Sequence, residues 1–196
     1  MQSLYPMAVF AVASSWPPGP NNIMLTASGV NFGFTRSVPH IAGVVIGYGI
    51  VLLAAGSGLG LFFKTYPSAQ LVLKIIGAAY MIWLAWKVAN ERPAKVDGTV
   101  RSEPLTFLQA AAFQWVNPKG VVTALSAAAV FVRPSSMAGD LSIMLPVFLA
   151  ATCASVLFWT GFGTLLSDAL QNPRHARIFN VTMAILIVAS IVPMVL

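Results

Sequence analysis

Trp16-Pro17-Pro18-Gly19-Pro20-Asn21-Asn22 interrupts an apolar run that covers residues 4–29. Three prolines and a glycine cannot continue an α-helix. Each proline lacks a backbone donor and clashes with the preceding turn, and each pushes the residue before it out of the helical region. If the run crosses a membrane, such a break leaves unpaired backbone groups at bilayer depth. Those groups are tolerated only where protein or a water-filled cavity meets them. The stretch is therefore either a packed kink or part of a polar site. Asn21 and Asn22 place polar side chains at the same point, which favours the site.

The composition requires the membrane. The chain has 196 residues, 58% hydrophobic and 8% charged, against about 25% charged in a soluble domain. The charges lie between long apolar runs, as spanning helices require. A net charge of +6 is no nucleic-acid signal here, because the basic residues sit at span ends, where topology and anionic lipid account for them. Cys153 is the single cysteine, so an intramolecular disulfide and a thiolate metal cluster are excluded. It reads as a small packing residue. No basic stretch precedes the first apolar segment, so no cleavable signal peptide is expected.

Six spans are expected in one transmembrane domain over residues 1–196, at about 4–29, 38–63, 68–88, 106–132, 141–166 and 178–195. Residues 31–36 read as a short loop, and residues 90–104 as the longest, most charged one. In the second span Gly43 and Gly47, then Gly56 and Gly60, are small residues four apart, a close-packing pattern between membrane helices. Arg36, Lys87, Arg92, Lys95, Arg101, Arg174 and Arg177 fall on one set of loops, and Lys64 and Arg133 on the other. The positive-inside rule makes the first set cytoplasmic and puts both termini outside. Lys74 lies within two turns of its span's start and is expected to snorkel.

The fourth span has its own interruption, Gln114-Trp115-Val116-Asn117-Pro118-Lys119-Gly120. Asn117 is a helix N-cap signal and Pro118 a first-turn residue. With a break at a similar offset in each set of three spans, the chain reads as two inverted repeats, about 1–90 and 105–196. Helices 1 and 4 are then broken near the midplane, where such repeats bind substrate. Helix restarts at about Asn22 and at Pro118 offer N–H groups and a dipole to an anion. Carbonyls freed before each break would attract a cation, and the pair describes a zwitterion such as an amino acid. Lys119 stands in a first helical turn, on the wrong end of the dipole, and is costly at mid-membrane. It is expected to face a substrate carboxylate rather than to snorkel.

Pro18-Gly19-Pro20-Asn21-Asn22-Ile23-Met24-Leu25-Thr26-Ala27-Ser28-Gly29 resembles the signature of the LysE/RhtB amino-acid exporters, and Phe113-Gln114-Trp115-Val116-Asn117-Pro118-Lys119 resembles that family's second motif. The likeness covers nearly the whole chain, and residues 18–33 most resemble the branch that exports cysteine and O-acetylserine. The resemblance implies an exporter of the bacterial inner membrane, driven by the proton gradient, with a small amino acid, protons and membrane lipid as partners, no cofactor, no metal, and a homodimer as an open option. On the matching motifs it points to Pro18, Gly19, Pro20, Asn21, Asn22, Gln114, Asn117, Pro118 and Lys119 as substrate-binding residues. Many members carry an aspartate after a glycine in the second span; here the pair is Gly47-Tyr48, and Tyr48 joins the candidate set. No span interior contains Asp or Glu, so the usual carboxylate proton carrier is not visible. His40 is the remaining proton-coupling candidate, with an interface-anchoring role as its alternative. Two other classes compete: an intramembrane enzyme, for which no Ser-His-Asp set or metal-ligand motif is found, and a channel-like permease for small zwitterions.

Overall fold

The structure, a computed structural model, describes residues 4–91 and 103–192. The expected charged loop falls largely outside that range. Every regular element among the described residues is helical: α1 (Leu4–Ser15), α2 (Pro20–Arg36), α3 (Val38–Ala54), α4 (Gly60–Thr65), α5 (Pro67–Ala89), α6 (Phe107–Val116), α7 (Pro118–Phe131), α8 (Met137–Ala169) and α9 (Pro173–Ala189). A π-helical turn over Ala55–Leu59 joins α3 to α4. Among the described residues three helical stretches are long and apolar enough to cross a membrane: Val38–Thr65, Pro67–Ala89 and Pro134–Ala169. Large apolar side chains such as Leu61, Trp86, Leu108 and Leu165 lie bare on the outside, a surface that lipid covers and water does not.

Local chemistry sets the helix starts. Thr106 and Gln109 form a reciprocal capping box at α6, Asn172 caps α9 ahead of Pro173, and Asn117 caps α7 ahead of Pro118. The ends correct the sequence reading in three places. Residues 31–36 are helical rather than loop; the chain turns at Gly33, whose φ of 77° suits a residue without Cβ. The last helix begins at Pro173, one and a half turns before residue 178, because Pro is favoured in a first turn. Gly56 and Gly60 do not share a regular helix face, since the π turn with Gly58 at φ 114° lies between them.

Packing is closest where glycines stand. A Cβ on Gly29 of α2 would run into the Thr160 carbonyl of α8, and one on Gly163 of α8 would run into the Thr26 carbonyl. These two backbones touch directly. Gly43 and Gly47 of α3 lie in the same way on Phe107, Ala110 and Ala111 of α6. α5 packs against α9. The buried apolar side chains form two clusters. One takes Met24 and Leu25 from α2 and Ala110 and Phe113 from α6; the other takes Met7 and Ala11 from α1 and Ala124 and Phe131 from α7. The chain thus changes cluster at each interruption: α1 to α2 across residues 16–19, and α6 to α7 at Asn117. The end of α7 is tied to the start of α8 by Arg133 and Asp140, whose side chains meet at 2.8 and 3.0 Å.

Candidate functional site

Polar groups collect where the chain passes from one apolar cluster to the other. A pocket of about 50 Å³ is lined by Gly19, Pro20, Asn21, Asn22, Tyr48, Asn117 and Lys119, together with Ser14, Ser15, Thr123, Thr152 and Ser155. One water needs about 10–15 Å³ on this scale, so the space suits a small guest. Of the sequence candidates, Gln114 stands just behind the wall, fully buried. Pro18 is exposed and does not line the pocket. Pro118 lines a different cavity, with Trp115, Lys74 and Phe63. Pro18 and Pro118 therefore shape the chain, while Pro20 and the neighbouring residues face the space.

The two interruptions are bolted together. Asn21 and Gln114 exchange a pair of amide hydrogen bonds, Asn21 Nδ2 donating to Gln114 Oε1 at 2.8 Å and Gln114 Nε2 to Asn21 Oδ1 at 3.1 Å. Lys119 Nζ donates to the Pro17 carbonyl at 2.7 Å. Gly19 lies under the lysine stem: a Cβ there would stand 2.8 Å from Lys119 Cδ. That close approach explains the glycine, whose extended backbone (φ −152°) any residue adopts.

The carbonyls before the first break are not left open to a cation, as the sequence suggested. Ser15 O accepts from Asn22 Nδ2 at 2.9 Å and from Ser155 Oγ at 2.8 Å. Trp16 O accepts from Trp159 Nε1, and Pro17 O from Lys119 and Asn22. Side chains from α2, α7 and α8 saturate them, because unmet carbonyls are costly away from water. Helix α2 also restarts earlier than Asn22. Its N-cap is Gly19 and its first residue Pro20, with no side-chain cap. The N–H groups of Asn21 and Asn22 thus lie in an uncapped first turn beside the pocket. At α7 the Asn117 side chain turns back to accept from Gly120 N, at a long 3.5 Å.

His40 is not brought to this pocket. It is 2% exposed, enclosed among Met24, Ser28, Asn31, Lys87, Glu91 and Glu103 around a separate cavity of about 30 Å³. Among the described residues neither ring nitrogen has a hydrogen-bond partner. An interface anchor would reach toward lipid headgroups; this ring is enclosed by protein. Beside it Asn31 and Asn180 bond each other reciprocally at 3.0 and 3.1 Å, a link between α2 and α9 for which no local sequence pattern exists. Thr152 and Ser155 also escaped the sequence reading. Their only signal is a pair of hydroxyls three apart, hence on one helix face, within the apolar run of α8.

The LysE type translocator family model matches residues 12–192 of this chain. The chain is 34% identical over 182 residues to cysteine/O-acetylserine efflux proteins of Escherichia coli (strain K12), Shigella sonnei (strain Ss046) and Shigella flexneri, covering 91% of this chain and 90% of each relative. The chain belongs to the LysE type translocator family. The relatives fall in the branch that residues 18–33 resemble. It is a membrane transport protein. No solved structure matches it.

Proposed function

We propose that the chain is a secondary exporter of small neutral amino acids or their derivatives, of the cysteine and O-acetylserine class, working in the bacterial inner membrane with its termini outside. The observation that carries this reading is the convergence of both interruptions on one pocket. An uncapped helix start, α2, lies beside the Lys119 ammonium. Together they offer N–H donors and a cation to a carboxylate. The family and the names of the relatives support the same class.

Alternating access follows from reading α1 with α2 as one span and α6 with α7 as another, so that six spans form two inverted repeats with breaks near the midplane. The packing supports this. α1 and α2 both lie against α8, while α6 and α7 both lie against α3. Each interrupted span therefore packs on the second span of the opposite repeat, as a pseudo-twofold axis requires. Proton coupling is assigned to His40, an enclosed imidazole whose two nitrogens have no partner among the described residues. Gln114 and Asn21 hold the two breaks in register, Asn117 caps the second restart, and Tyr48 closes the pocket from α3.

Counterflow in proteoliposomes tests the proposal. Labelled cysteine, serine or O-acetylserine should accumulate against an unlabelled pool on the other side. A channel would show no such trans-stimulation. With His40→Gln, counterflow should persist while proton-driven net transport is lost. Unchanged proton-driven transport in that variant would remove His40 from the coupling.

A further inference from the structure

Several threonine hydroxyls among the described residues bond their own helix. Thr26 Oγ1 donates to the Asn22 carbonyl, Thr160 to Val156, Thr164 to Thr160 and Thr182 to Ile178, each one turn back. Thr152 lies on the same kind of apolar helix, α8, and is 7% exposed, yet its hydroxyl is buried with no partner among the described residues. It lines the central pocket. Ser155, Asn21 and Lys119 in the same pocket are engaged, with Ser15 O, Gln114 and Pro17 O. Thr152 is the pocket side chain that is both enclosed and unsatisfied among the described residues.

We propose that Thr152 is the specificity-determining residue of the pocket, its hydroxyl bonding the polar β-substituent of the amino-acid substrate. The proposal rests on the exporter reading above and adds which end of the substrate is read and by what. A hydroxyl both donates and accepts, so it serves an alcohol, a thiol or the ester oxygen of an acylated serine. A methyl group in the same place leaves the buried hydroxyl unpaired, and sites built in this way reject the analogue that lacks the bonding group.

The test uses two isosteres, L-serine and L-2-aminobutyrate, which differ by a hydroxyl in place of a methyl. Competition against labelled counterflow in proteoliposomes should show the wild-type protein favouring serine. Thr152→Val keeps the shape and removes the hydroxyl. Serine should then weaken by roughly 3- to 10-fold, the range of one net hydrogen bond, while 2-aminobutyrate holds or improves. Thr152→Ser should restore the preference. Equal losses for both amino acids, or no loss, would overturn the assignment. The wild-type comparison needs no variant, so equal competition by the two there overturns it even if Thr152→Val does not insert. Counterflow without discrimination defeats this inference alone; no counterflow with any amino acid defeats the exporter reading and this one with it.

Discussion

The two helix interruptions look alike in sequence, each ending in an Asn and a Lys or Asn close to a proline, yet they are built differently. At the first, four residues from Trp16 to Gly19 separate α1 from α2, and the new helix starts on a glycine without a side-chain cap. At the second, Asn117 alone separates α6 from α7, and its own side chain caps the new helix. The first break therefore keeps its helix N–H groups available, while the second partly consumes its own. The second instead sends Lys119 and Gln114 across to brace the first. Two breaks of common origin in pattern thus divide the labour: one presents backbone, the other presents side chains.

The sharpest way to break this comparison is to abolish the first interruption. Replacing Pro18, Gly19 and Pro20 together by Ala favours a continuous helix by about 3 kcal/mol for each proline removed. It also sets a Cβ against Lys119. Inserted but inactive protein is the expected result, measured as membrane yield against counterflow. Normal transport would reduce the first break to a kink.

Lys119 comes next. Lys119→Met should weaken substrate affinity roughly 10–100-fold, the range expected for a charge-assisted hydrogen bond. Lys119→Arg should fail too, because a planar guanidinium is larger than the space over Gly19. Competition assays on matched amounts of purified protein decide it. Free substitution by Arg with little loss in Met would leave the α2 N-terminus as the sole anion binder.

The smallest effect is expected at Asn117. Removing this cap as Asn117→Ala should lower stability by about 1 kcal/mol, read as an earlier thermal transition in detergent, with substrate affinity almost unchanged. If affinity falls as far as in Lys119→Met, the α7 N-terminus also binds substrate, and the proposed division of labour is wrong.

Much of this arrangement is legible in the sequence because proline chemistry is local. Pro17 and Pro18 follow the end of α1, Pro20 opens α2, and Asn117-Pro118 opens α7. Asn21, Asn22, Asn117 and Lys119 reach the pocket simply by adjacency to those prolines. What could not be read is tertiary. Ser155 and Trp159 satisfy carbonyls 140 and 143 residues away, and nothing near Ser15 or Trp16 announces them. Thr152 could not be told from Thr160, since a hydroxyl in an apolar helix normally bonds its own backbone and only the fold shows which one does not. Residues 31–36 read as loop because they are polar and hold a glycine. They are helical because α2 continues to the bend at Gly33.

The bare contact between Gly29 and Gly163 has a mechanical consequence. Where side chains interdigitate, two helices can slip by a notch and find new hollows. Here carbonyl oxygen occupies the place of a missing Cβ on each side. A slip of one turn along α8 would bring Trp159 or Ser167 to the spot Gly163 now fills, and neither fits there. α2 and α8 are thus spliced like two lengths of one beam: they can tilt together, but they cannot slide. Any movement that opens the pocket must carry its uncapped helix start and its unpaired threonine along as a single piece.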